Sequence, residues 1–173
     1  MPFSYYSRLS SRQQIIYRKS DAIESVVIPD PAPLRPIVDE ITTALAAEDR
    51  ARTQAASQAL MDALATALDV PAPRVSVLAR RPELRDGELH GLYELAERGE
   101  PAQIKVWMRT AHRKQVVAFR TFLRTLLHEL CHHLDYERYA LRDSFHTEGF
   151  YKRESSLLKQ LLPPDPVKSV NRE

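Results

Sequence analysis

The chain lacks the features that mark a secreted or membrane-spanning protein. Cys131 is its only cysteine, so no disulfide can form within the chain, which fits a reducing compartment. No apolar run approaches the roughly 18 residues that a membrane span needs. The first residues also lack the apolar core of a signal peptide. We therefore expect a cytoplasmic protein with no membrane partner.

The chain also has no large excess of positive or negative charge. The 25 basic and 23 acidic residues leave a net charge of +2, which is too small to predict nucleic-acid binding by itself. Short basic groups of this kind usually form a solvated surface, and a nucleic-acid patch is the weaker alternative. The groups are Arg80 with Arg81, Arg109 with Arg113 and Lys114, and Arg120 with Arg124.

The positions of the prolines divide the chain. Residues 1–33 precede the domain. They are predicted to begin with a loosely ordered arm over 1–11 and a short helix over 12–22. A β-like run over 26–28 and a proline-rich connector over 29–33 follow. Residues 34–162 are predicted to form a single domain, because a chain of 173 residues is long enough for one domain with a sizeable core. Residues 163–173 are predicted to be a frayed C-terminal tail.

The pattern inside the domain favours an α+β fold. Residues 34–68 repeat at helical spacing but lose phase near residue 49, which predicts two helices or one long helix with an exposed middle. Alternating apolar residues predict strands over 74–79, 89–95 and 103–108. We expect these strands to form a small antiparallel sheet between N-terminal helices and two C-terminal helices.

The most informative stretch is HELCH, inside a helix predicted over 116–140. His128 and His132 are four residues apart and therefore share one face of that helix. This spacing allows both imidazoles to bind one zinc ion. Glu129 is turned about 100° from His128, so it can flank the metal without binding it and can act on a water molecule.

The apolar residues of the same helix lie opposite the histidine pair. With His128 set at 0°, His132 falls near 40°, whereas the apolar stripe falls between about 160° and 260°. This phase predicts a helix that packs one face in the core and lines a cleft with the other. The stripe consists of Phe119, Leu123, Leu126, Leu127, Leu130 and Leu134.

A catalytic zinc site needs a third protein ligand. His133 falls near 140° and points away, and His90 and His112 have no spacing that favours them. His146 follows the metal helix and directly precedes a second helix predicted over 147–162, with Thr147 as its N-cap. A chain that folds back at this point can return His146 to the first two histidines. Glu148 and Glu154 remain alternatives for the third ligand.

The same residues resemble a known family. HELCH, a gap of 13 residues and then His146-Thr-Glu-Gly-Phe150 is similar to the pattern of the SprT-like zinc metallopeptidases. GLYELAERGEPAQIKVWM resembles the glycine–tyrosine, turn and strand that precede the metal helix there. The resemblance covers about residues 74–162. It implies a zincin-like fold, zinc bound by His128, His132 and His146, and Glu129 as the catalytic base.

Several further residues are weaker candidates. Asp135 lies on the zinc side of the helix, where it either hydrogen-bonds a zinc-binding imidazole or is an ordinary exposed aspartate. Cys131 is better explained as a buried structural thiol than as a ligand. Tyr136, Tyr151 and Arg153 are candidates for stabilising an oxyanion, with packing or surface roles as the more common alternative.

We therefore predict a zinc-dependent metallopeptidase that acts on a peptide or protein. By the family resemblance, the strand Ile104–Trp107 is the expected edge of its cleft, where an extended substrate adds as another strand. The alternative is a closed, non-catalytic zinc module with a structural or regulatory role. Some SprT-like proteins act on protein bound to DNA, so an association with nucleic acid is a third hypothesis.

Overall fold

The computed structural model describes residues 1–163 and confirms a mixed α+β architecture. The helices are α1 Ser11–Asp21, α2 Arg35–Ala46, α3 Arg50–Ala67, α4 Phe119–Glu137 and α5 Glu148–Leu161. The strands are β1 Arg74–Arg80, β2 Glu83–Leu84, β3 Gly87–Glu88, β4 Gly91–Glu94 and β5 Gln103–Arg109. None of the helices within residues 1–163 is long and apolar enough to cross a membrane. The predicted tail lies outside the described residues from position 164 onward.

Side-chain caps fix where several helices begin. Ser10 and Gln13 form a reciprocal capping box at the start of α1, and Asp49 accepts a hydrogen bond from the Arg52 amide at the start of α3. Thr147 caps α5 by accepting from the Phe150 amide, as predicted. The break between α2 and α3 shows that residues 34–68 form two helices rather than one.

The sheet is mixed, so the prediction of a wholly antiparallel sheet is wrong. The strand order is β1-β5-β4, with β5 parallel to β1 and antiparallel to β4. The short antiparallel pair β2–β3 interrupts the path from β1, and β4 joins the far side of β5. Alternating apolar residues look alike in parallel and antiparallel strands, because alternation reports burial rather than strand direction.

The central position of β5 also corrects the predicted edge of the cleft. Ile104–Trp107 belongs to β5, which is hydrogen-bonded to a strand on each side and cannot accept another. Ile104 and Val106 are fully buried in the core. The strand that lies at the edge beside α4 is β4 instead.

The N-terminal arm is ordered, contrary to the prediction. A short 3-10 helix spans Ser4–Arg8, and Tyr5 and Tyr6 are half-buried against Tyr17 of α1. The sequence of the arm carries no helical or strand period, because its aromatic rings are placed by contacts with residues far along the chain.

The β-like run at 26–28 pairs with a side chain rather than with a strand. The Ile28 amide donates to Oε1 of Gln160 at 2.8 Å, and Nε2 of Gln160 donates to the Val26 carbonyl at 2.7 Å. Val26 and Ile28 are buried. Val27 between them is exposed, so burial alternates along this β-like run as in a strand, while Gln160 of α5 supplies the polar partners that a neighbouring strand would normally provide.

Helix α4 packs its apolar stripe into the core, as its phase predicts. Phe119 is half-buried against the core, and the other stripe residues are at most 1% exposed. Cys131 is buried as well, and burial raises the pKa of its thiol. The opposite face of α4 is left to line a cleft with β4 and the α4–α5 connection.

Candidate metal centre

Three histidines converge at one point between α4 and α5. His128 and His132 project from neighbouring turns of α4, and His146 comes from the connection that precedes α5. Nε2 of His146 lies 3.0 Å from Nε2 of His128 and 3.0 Å from Nε2 of His132. One nitrogen from each residue lies within 4.8 Å of the others, so the three could hold a metal ion.

The outer ring nitrogens of the first two histidines are held by hydrogen bonds. Nδ1 of His128 donates to Glu154 at 2.9 Å, because an ionised carboxylate can only accept. Nδ1 of His132 donates to Oγ of Ser144 at 2.7 Å, and that hydroxyl donates onward to Asp135 at 2.7 Å. The Nε2 atoms therefore turn their lone pairs inward, which is the arrangement that a metal ligand requires.

The local environment keeps two of the three histidines uncharged. Burial, assisted by His128 and His146, lowers the pKa of His132 to about 3. Burial and then His128 also lower the pKa of His146. Both rings are therefore neutral at physiological pH. Neutral imidazoles that converge on one point are a donor set that suits transition metals such as zinc, copper, iron and nickel.

The two glutamates considered as third ligands occupy other positions. Glu154 is buried on the far side of His128, where it accepts hydrogen bonds from His128 and Arg124. Burial acts to raise the pKa of Glu154, but these two hydrogen bonds hold it below its ordinary value. Glu148 is exposed and paired with Lys152. Glu154 therefore orients an imidazole, whereas Glu148 lies outside the histidine cluster.

Asp135 contacts the cluster through Ser144 rather than directly. Its other oxygen accepts a hydrogen bond from Arg153 at 2.7 Å, and both members of this ion pair are fully buried. Arg153 also donates to the carbonyls of Ser20 and Ile23. The prediction that Arg153 stabilises an oxyanion is wrong, because its guanidinium is enclosed and committed to these partners.

Glu129 is enclosed between α4 and β4. Its side chain is buried, and desolvation raises the pKa of its carboxyl group to about 7 in the metal-free protein, although His128 acts to lower it. A Cβ atom at Gly91 would lie 2.4 Å from Oε1 of Glu129. Only glycine therefore allows β4 to approach this carboxylate so closely.

Two open cavities flank Glu129 and share Gly91 and His128. The smaller, of about 280 Å³, is also lined by His132, His146 and Tyr136. The larger, of about 610 Å³, continues past Tyr151 on the other side. Tyr136 and Tyr151 thus both reach the cleft. Together the two cavities form a groove that runs across the histidine cluster.

The remaining histidines and the basic groups lie outside the cluster. His133 is buried and bonded to Tyr93 and to the Pro71 carbonyl, as its helical phase predicts. His112 is exposed beside Glu83, and His90 lines the larger cavity. In each basic group one arginine forms an ion pair with a glutamate. The pairs are Arg81 with Glu88, Arg109 with Glu48 and Arg124 with Glu154.

Sequence patterns missed two contributors to this site, Ser144 and Tyr5, and indicated a third, Gly91, only through the family resemblance. Ser144 lies in an irregular connection, so no period marks it. Tyr5 is more than a hundred residues away from His146, whose carbonyl accepts its hydroxyl at 2.9 Å. No protein-family model, curated protein or solved structure matches the chain. The resemblance to SprT-like metallopeptidases therefore rests on the motif residues alone.

Proposed function

We propose that the protein is a zincin-like, zinc-dependent metallopeptidase that cleaves extended polypeptide. The observation that carries this proposal is the position of Glu129. Its carboxylate and the three histidines line one open cavity of about 280 Å³. A purely structural metal site has no use for a buried carboxylate beside the donors, since burying a charge is costly.

The histidine set suits zinc in a catalytic form. Catalytic zinc sites have three protein ligands and an open fourth position, whereas structural sites are closed by four. Within residues 1–163, the metal-ligand group contains only His128, His132 and His146. Bound zinc supplies Lewis-acid chemistry, which acidifies water and polarises a carbonyl group. This composition favours the peptidase over the closed zinc module.

Glu129 would serve as the general base. Its carboxylate takes a proton from the attacking water and passes it to the nitrogen of the leaving amine. Burial raises the pKa of Glu129 above its ordinary value in the metal-free protein, and a cation held by the three histidines would act in the opposite direction and favour the ionised form that a base requires.

The two edges of the sheet differ in a way that supports an extended substrate. The outer edge of β1 is closed by side chains from α3. Gln58 accepts from the Val75 amide at 2.7 Å, and Gln54 accepts from the Val77 amide at 3.0 Å. Such capping protects an edge strand against unwanted pairing.

Among residues 1–163, no strand lies beside the outer edge of β4, and this strand runs along the groove. Leu92 and Tyr93 line the cavity that holds the histidines. A peptide that adds to β4 would gain main-chain hydrogen bonds and pass directly over Glu129. We therefore propose a substrate that is unfolded or locally extended, recognised mainly through its backbone.

The test uses the full chain loaded with zinc and a mixture of quenched fluorescent peptides. We expect the wild-type protein to cleave them and Glu129→Gln to bind zinc equally well while cleaving roughly 10²–10⁴-fold more slowly. Glu137→Gln, an exposed glutamate on the same helix, is the matched control and should cleave normally. Equal cleavage by the wild type and Glu129→Gln would contradict the mechanism.

A further inference from the structure

The third histidine is not held by the helix that carries the other two. His146 lies in the irregular connection between α4 and α5, and α4 holds this connection through Leu141 and Ser144 rather than through His146 itself. Irregular connections are generally more mobile than the elements they join. A metal site needs each donor atom within about 0.2 Å of its ideal distance. A restraint that acts on His146 itself is therefore expected to come from another part of the chain.

The N-terminal arm supplies one restraint. The hydroxyl of Tyr5 donates to the His146 carbonyl at 2.9 Å. The arm is itself anchored, because the Phe3 amide donates to the hydroxyl of Tyr17 at 2.9 Å and Tyr17 is only 1% exposed.

Aromatic packing restrains the same connection from the side. The ring of Tyr17 lies 6.2 Å from that of Phe145, the residue before His146, and 5.8 Å from that of Tyr5. Phe3 meets Tyr151 edge-on with ring centroids 6.3 Å apart. Such aromatic pairs stabilise a structure by more than the burial of their surface area alone would. The arm and α1 thus contact residues on both sides of His146.

The end of α1 restrains the start of α5. The Gly149 amide donates to the Asp21 carboxylate at 2.9 Å, and a Cβ atom at Gly149 would lie 2.3 Å from the Asp21 carbonyl oxygen. Arg153 donates to the carbonyls of Ser20 at 2.6 Å and Ile23 at 2.7 Å. The same arginine donates to Asp135, which accepts from Ser144, the hydrogen-bond partner of His132. Hydrogen bonds therefore connect α1 to His132.

We infer that the N-terminal segment, residues 3–23, supports the metal centre from behind its third ligand, and that Tyr5 is a positioning residue for that ligand. This inference rests on the proposed zinc site. Tyr5 touches neither the metal position nor the substrate groove. It acts on the backbone of His146, so its loss would let the imidazole move and would weaken the binding of the ion.

Neighbouring tyrosines provide a matched pair of variants. Tyr5→Phe removes the hydroxyl that bonds to His146, whereas the hydroxyl of Tyr6 is buried without a hydrogen-bond partner in the described part of the chain. Both changes delete one oxygen atom from the same arm and keep the aromatic ring. Zinc affinity of the full chain is measured by competition with a chromophoric chelator. The thermal midpoint of the metal-free protein is measured in parallel.

We expect Tyr5→Phe to bind zinc about 2- to 10-fold more weakly, which corresponds to one hydrogen bond, and Tyr6→Phe to bind like the wild type. A Tyr5→Phe variant that is less stable without metal but binds zinc normally would overturn the inference, because that result defines a merely structural role. A wild-type chain that binds no zinc would overturn the metal site itself. The two failures are therefore distinguishable.

Discussion

Glu129 should destabilise the metal-free protein in a way that depends on pH. Its carboxyl group is only 6% exposed, and burial raises its pKa from 4.5 to about 7. The folded chain therefore holds this proton more tightly than the unfolded chain does. Stability then falls as pH rises from about 4.5 to 7, and the full penalty persists above that range.

The size of the penalty follows from the pKa shift. Each unit is worth about 1.4 kcal/mol, so the ionised carboxylate costs roughly 3 kcal/mol at pH 8 and less than about 1 kcal/mol at pH 5. Glu129→Gln removes the charge and nearly keeps the shape. We expect the variant to be more stable than the wild type, by about 2–3 kcal/mol more at pH 8 than at pH 5.

Urea unfolding in the presence of a chelator measures this difference, with the single, buried Trp107 as the fluorescent probe. His132, with its lowered pKa, contributes the opposite slope, but it is present in both proteins and largely cancels. Glu137→Gln, which alters an exposed glutamate of the same helix, serves as the control and should change the stability difference between pH 5 and pH 8 much less. An equal effect of Glu129→Gln at pH 5 and pH 8 would refute the reasoning.

Three further variants test separate parts of the site. Gly91→Ala should lower peptide cleavage while zinc content is retained, because the new Cβ atom would press on Glu129, and unimpaired cleavage would contradict this. Ser144→Ala should weaken zinc binding about 10- to 100-fold by freeing Nδ1 of His132, as measured by chelator competition. Gln58→Leu should lower the free energy of unfolding by about 1–3 kcal/mol, because the Val75 amide loses its partner. An unchanged urea midpoint would exclude that role for Gln58.

Helix α4 is the part of the fold that the sequence predicts best. Helical geometry is local, so a constant turn of about 100° per residue places His128, His132 and the leucine stripe on opposite faces without knowledge of the rest of the chain. The Thr147 cap and the two helices before the sheet follow from equally local signals. The structure agrees with each of these predictions.

The errors concern contacts between distant residues. The direction of β1 relative to β5 depends on the path of the intervening chain, which alternation does not encode. The arm was expected to be loose because its restraints, such as the bond from Tyr5 to His146, span most of the sequence. Ser144 orients His132 from a connection without any periodicity, so only the folded chain reveals its role.

The open fourth position is the central claim, and a crystal structure with anomalous scattering data at the zinc edge tests it most directly. We predict one zinc ion about 2.0–2.1 Å from Nε2 of His128, His132 and His146, with a water molecule as its fourth ligand beside Glu129. A fourth ligand donated by the protein would contradict a catalytic site. The absence of zinc density at the three histidines would contradict the metal centre itself.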